Sequence, residues 1–77
     1  MIQDRVALNA ELMAAHARGD APTLIRIYRD EGEALIAAGD IDAGCFMLTH
    51  AYIFALEAGD PQAQDLHKIL VTHGREE

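Results

Sequence analysis

The side chains able to do chemistry in this chain are few. They are four histidines (His16, His50, His67 and His73), a single cysteine (Cys45) and a glutamate, Glu31, set among apolar residues. A structural or catalytic zinc site puts two imidazoles on one helical face, at i, i+4 or in an HExxH motif. None of the four histidines has such a partner in sequence, so no metal and no cofactor is expected. A thiolate–imidazole nucleophile within one helix fails on geometry, because residues five apart, such as Cys45 and His50, point about 140° apart around the axis. Cys45 therefore reads as a buried structural thiol. A lone cysteine builds no intramolecular bridge, which fits a reduced, cytosolic protein. Glu31 is the candidate buried carboxylate, and a carboxylate in an apolar interface needs a raised pKa or a close cation. The alternative places Glu31 at the edge of that interface, reaching solvent or a neighbouring Arg or His. No catalytic residue is assigned; an enzyme built on Glu31 and His50 stands third, behind the two interaction readings given below.

The elements that must position these groups are marked by one repeated signal. Gly-Asp occurs at Gly19-Asp20, Gly39-Asp40 and Gly59-Asp60, at a strict spacing of twenty residues. Glycine takes the left-handed conformation that closes a helix, and the following carboxylate accepts the free N–H groups that open the next. Pro22 and Pro61 follow such Asp residues, where a missing N–H costs nothing. Gly74 closes the last segment. The pattern predicts an all-α chain, a single domain over residues 1–77, with helices near 3–18, 21–38, 41–58 and 61–73. Connections this short predict antiparallel neighbours.

Angular patterns at about 100° per residue sort the faces. Helix two is amphipathic, with Leu24, Ile25, Ile27, Tyr28, Leu35, Ile36 and Ala38 on one side, and Arg26, Arg29, Asp30 and Glu33 opposite. Helix three is apolar nearly all round and is expected to be the most enclosed. Its polar groups Asp42, Thr49, His50 and Glu57 share one arc with Phe46 and Ile53. Helix one carries a stripe of Ile2, Val6, Ala10, Met13 and Ala17, with Leu8 and Leu12 on a different side, which suggests packing on two faces. Helix four turns Ala63, Leu66, Ile69 and Leu70 inward and leaves Val71 outside.

Thirteen acidic against six basic residues give a formal charge of −7 in a chain of 77. That balance repels phosphate backbones and anionic lipid, so no nucleic acid and no membrane surface is expected as a partner. The longest run without Asp, Glu, Lys or Arg, Ala43 to Leu56, is fourteen residues, short of the roughly 20 that cross a bilayer. The first residues meet an acid early and lack the apolar run of a signal peptide.

Residues 25–58 resemble a tetratricopeptide repeat, the helix-turn-helix unit of about 34 residues. Tyr28-x2-Glu31-Gly32-x2-Leu35 fits the register of its first helix, with Glu31 where the consensus has Leu. Gly39-Asp40-Ile41 fits its turn, and Gly44, Leu48 and Ala51 fit the small, large and small positions of its second helix. The resemblance implies tetratricopeptide-like helical hairpins in which Gly32 lies opposite Gly44, letting two helices approach closely. It also implies a protein-binding role without chemistry, with the outward positions of the first helix, Arg26, Arg29, Glu33, Ile36 and Ala37, lining a peptide groove.

Two interaction readings follow. In the first, a cytosolic adaptor binds a protein or peptide, and Arg26 and Arg29, one turn apart, grip a carboxylate with Glu33 alongside. The plainer version of that face pairs Arg29 with Glu33 at i, i+4. In the second, a homo-oligomer, most simply a dimer, forms through Phe46 and Ile53 together with Thr49 and His50.

Overall fold

The three Gly-Asp pairs fall at the three helix junctions. The computed structural model describes residues 2–75, with side chains from residue 7 onward. It contains α1 (Ile2–Arg18), α2 (Ala21–Ala37), α3 (Ile41–Ala58) and α4 (Gln62–Thr72). No strand occurs among the described residues. The ends lie within one residue of those expected from the Gly-Asp signal. Pro61 stands just ahead of α4 instead of opening it.

Each junction uses one aspartate twice. At the α2/α3 turn the Gly39 N–H donates to the Ile36 carbonyl and the Asp40 N–H to the Leu35 carbonyl, both at 2.9 Å. This double closure of the α2 C-terminus requires φ of +94° at Gly39, a region that L side chains avoid. The Asp40 carboxylate then accepts the Ala43 N–H at 3.2 Å, capping α3. Asp20 repeats the pattern, donating to the Ala15 carbonyl and accepting from the Thr23 N–H and Thr23 hydroxyl. Asp60 donates to the Ala55 carbonyl and accepts from the Gln62 N–H at 2.8 Å, one residue nearer than at the other two turns.

Packing follows chain order, α1 on α2, α2 on α3 and α3 on α4. The result is a thin layer measuring 34 × 30 × 13 Å between Cα atoms. Its core is Ile25, Cys45, Leu48, Ala51, Ala55, Leu66 and Leu70, so α3 lies in the middle between α2 and α4. Leu66 and Leu70 are buried and Val71 is exposed on α4, as its pattern indicated. On α1 the outcome is one-sided. Ala15 is buried and Leu8 and Leu12 are half-buried, whereas Ala10, Met13 and Ala17 are exposed, so the second packed face does not form. The side chains of Ile2 and Val6 lie outside the described residues.

The tightest point is the α2/α3 crossing. A Cβ on Gly32 would fall 2.8 Å from the Gly44 carbonyl oxygen and 2.8 Å from Leu48 Cγ. A Cβ on Gly44 would fall 2.7 Å from the Gly32 carbonyl oxygen and 2.5 Å from Ile36 Cγ1. Contacts along this pair run in opposite chain directions, Ile36 at Gly44, Gly32 at Leu48 and Tyr28 at Phe54. Ile36 thus packs against α3, and does not join Arg26 and Arg29 on an outward face.

Two expectations test these features. Gly32→Ala should lower stability by about 1–3 kcal/mol through overpacking, overriding the gain of about 1 kcal/mol that alanine brings to an ordinary helix position. A urea midpoint at or above wild type would show that the helices stand further apart. At Asp20 the Thr23 hydroxyl, the Arg18 guanidinium and the Thr23 N–H hold the carboxyl below its ordinary value of 3.8. Its charged form therefore favours the folded chain above that value, and the contribution fades as pH falls through the lowered folded-state pKa. The stability gap between wild type and Asp20→Ala should narrow below about pH 4; a gap constant from pH 7 to 2 would exclude the effect.

Candidate functional site

The outer surface of α3 carries a strip that the layer leaves uncovered. With Gly44, Leu48, Ala51 and Ala55 buried on the inner side, residues 46 and 53 are turned about 160–200° away from Gly44. Phe46 is 63% exposed and Ile53 47%. Thr49 and His50, between them, are half-buried. Both commit polar hydrogens to their own helix: Thr49 Oγ1 donates to the Cys45 carbonyl at 2.8 Å, and His50 Nδ1–H donates to the Phe46 carbonyl at 2.9 Å. The middle of the strip therefore offers less polar character than its residue types indicate.

At one end of the strip Asp42 is exposed and holds the Arg75 guanidinium in an ion pair. That hydrogen bond raises the Arg75 pKa above its ordinary value. At the other end Glu57 is exposed and has no ion-pair partner among the described residues. Arg75 had no signal in the sequence, because its role depends on the turn after α4 bringing residue 75 back beside the start of α3.

Beside the strip lies an aromatic row that spans three helices. Phe46 meets His50 edge-on, with ring centroids 4.7 Å apart. His50 stacks on Tyr28 at 5.0 Å, and Tyr28 stacks on Phe54 at 5.7 Å. His16 of α1 closes the row edge-on against Phe54, with its Nε2 3.2 Å from the Tyr28 hydroxyl. The i, i+4 spacing of Phe46, His50 and Phe54 was a readable sign of a shared face. Only the tertiary structure places Tyr28 and His16 on it.

On α2 the expected carboxylate clamp is not assembled. Arg26 bonds Glu11 of α1 at 2.8 Å and lies 4.0 Å from Asp30. Arg29 donates to Gln62 Oε1 at 3.0 Å and lies 3.6 Å from Glu33. The two guanidinium groups thus serve different neighbouring helices and tie α2 to α1 and to the start of α4. Glu33 keeps the i, i+4 pairing that its spacing suggested.

Glu31 is half-buried, not enclosed. It lines a cleft of about 60 Å³ with Leu8, Leu12, Tyr28 and Met47. No charged or polar side chain among the described residues is fully buried, which corrects the buried-carboxylate expectation in favour of the interface edge. Cys45, 2% exposed, is enclosed in the core as expected, away from the His50 ring on the outer face. A larger open groove of about 370 Å³ runs between α3 and α4, lined by Tyr52, Leu56, Ala63, Gln64, His67 and Lys68. Among the described residues no group of three or more His, Cys, Asp or Glu is placed to hold a metal. No described helix is long and apolar enough to cross a membrane.

No family model matches the chain, and no curated protein or solved structure matches it at a significant level.

The stacked row is measurable as an energy. A double-mutant cycle on Tyr28→Leu and Phe54→Leu should return a coupling of about 0.5–1.5 kcal/mol in urea unfolding. Strictly additive losses would show that the two rings do not stack in solution.

Proposed function

We propose that the protein is a small protein–protein interaction module, tetratricopeptide-like in its use of stacked helices and without catalytic activity of its own. Its contact surface in this reading is the outer strip of α3, centred on Phe46 and Ile53, and not the α2 face of Arg26, Arg29 and Glu33. The observation that carries the choice is the pairing state of the two surfaces. Arg26 and Arg29 already have carboxylate and amide partners within the chain, so an acidic ligand would have to displace them. Phe46 and Ile53 have large apolar surfaces open to water. Covering them contributes about 1.5–3 kcal/mol per side chain before the entropy of association is subtracted. A cytosolic setting belongs to the same proposal, supported by a chain whose one thiol is buried and has no disulfide partner.

Affinity capture from the source cell tests the choice between the surfaces. Proteins retained by the wild-type chain should be lost with Phe46→Asp/Ile53→Asp and kept with Arg26→Ala/Arg29→Ala, both variants showing a wild-type helical circular dichroism spectrum. The reverse pattern would move the function to α2. Capture unaffected by either variant would overturn the module reading for both faces.

A further inference from the structure

We infer that the occupant of the α3 strip is a second copy of this chain, with the two α3 helices packed antiparallel about a twofold axis beside the Thr49–His50 peptide, so that Phe46 of each copy meets the partner's Ile53. The inference rests on the proposed role of the strip and adds the identity of the partner and the register.

The first argument is the order of residues along the strip. Read outward from the Thr49–His50 peptide bond, Phe46 and Ile53 are equally distant, and so are Asp42 and Glu57. A twofold axis at that point brings every residue of the strip opposite its mirror position, which is what an isologous interface requires. Phe46 and Ile53 lie seven residues apart, about 10 Å along the axis. An antiparallel copy therefore seats two Phe–Ile pairs at once. A parallel copy in the same register sets Phe on Phe and Ile on Ile and leaves no Phe–Ile pair.

The second argument is charge. The antiparallel register places Asp42 against the partner's Glu57, a repulsion that a chain of charge −7 can ill tolerate. Arg75 stands at that position, already bonded to Asp42. Its side chain is 40% exposed, and its guanidinium has donors left for a second carboxylate. Glu57 is the acid at the strip's end without an ion-pair partner among the described residues. One Arg75 between Asp42 and the partner's Glu57, repeated by the symmetry, converts two repulsive ends into two bridged ones. Near the axis, the Thr49 hydroxyl and the His50 Nδ1–H are already satisfied by their own helix, so covering them leaves neither donor unmade.

Two measurements on the full chain test this. In a Cys45→Ala background, Phe46→Cys and Ile53→Cys are made separately and mildly oxidised. The mixture of the two should form a cross-linked dimer, and neither alone should, because like positions would lie about 10 Å apart along the axis, beyond disulfide reach. Phe46→Cys alone cross-linking as well as the mixture would overturn the register.

In sedimentation at low salt, Arg75→Glu should raise the dimer dissociation constant about tenfold, and Glu57→Lys added to it should restore the wild-type value. Within one chain residues 57 and 42 lie about 22 Å apart along α3, so rescue requires the second copy. Absence of rescue would overturn the bridged ends. A wild-type mass that stays monomeric up to millimolar concentration, with capture of another protein still lost on Phe46→Asp/Ile53→Asp, would sink the second copy and leave the interaction module standing. Strip variants that alter neither mass nor capture would sink both.

Discussion

The backbones of α2 and α3 touch at Gly32 and Gly44, and the rest of the layer is arranged around that contact. Each carbonyl oxygen occupies the space where the other glycine's Cβ would be. Close approach lets Leu48 lie over Gly32 and Ile36 over Gly44, so dispersion contacts replace what the missing side chains would have supplied. It also fixes the rotation of α3. With Gly44 forced inward, Phe46, two residues on, is turned outward by helical geometry, and no rearrangement of α3 can bury it without breaking the crossing. One turn before Gly32, Tyr28 is brought onto His50 and Phe54 by the same constraint. The exposed strip and the aromatic row beside it are thus consequences of the glycine contact.

The aspartates at the turns act on a different scale. Asp20, Asp40 and Asp60 each give their N–H to the helix behind and accept an N–H from the helix ahead. A connection tied at both ends has no slack, so each helix folds back beside its predecessor, and among the described residues the helices pack only in chain order. The chain spreads as a layer 13 Å thick between Cα atoms. A layer has two broad faces, and a chain of this length buries only somewhat more than 60% of its unfolded surface. Exposed Phe46, Ile53, Leu56 and Met13 follow from that shape.

Charge is arranged to hold the layer and not to advertise it. Arg26 and Arg29 of α2 bind Glu11 of α1 and Gln62 at the start of α4. Arg18 bonds Asp20 at the first turn, and Arg75 returns to Asp42. With so few cations, almost every guanidinium among the described residues has an internal partner, and the surplus acids remain on the surface. In protein interfaces generally, complementary charge at the rim selects a partner and apolar burial at the centre holds it, and the proposed α3 strip has paired charge at its Asp42 end and open apolar surface in its middle.

How much of this was legible beforehand depends on the range of each interaction. Helix number and limits were readable because the Gly-Asp signal is local: a left-handed glycine and a capping carboxylate act within five residues. The inward face of α4 was readable from periodicity, that of α3, apolar nearly all round, only as the side opposite its polar arc, and the Gly32–Gly44 approach from the register of the tetratricopeptide resemblance. The fates of single polar groups were not. Glu31 lies at an open edge because, among the described residues, the apolar side of α1 turned inward is only Leu8, Leu12 and Ala15, and Met13 is exposed for the same reason. Arg26 and Arg29 look alike in sequence, yet Arg26 reaches back to Glu11 of α1 and Arg29 forward to Gln62 of α4. Pairing of Arg75 with Asp42 spans 33 positions. Sequence by itself determined where each helix starts, stops and turns its apolar side, since those depend on neighbours along the chain. Only the tertiary structure decided which charges meet and which apolar groups stay in water, because long side chains choose partners by distance in space.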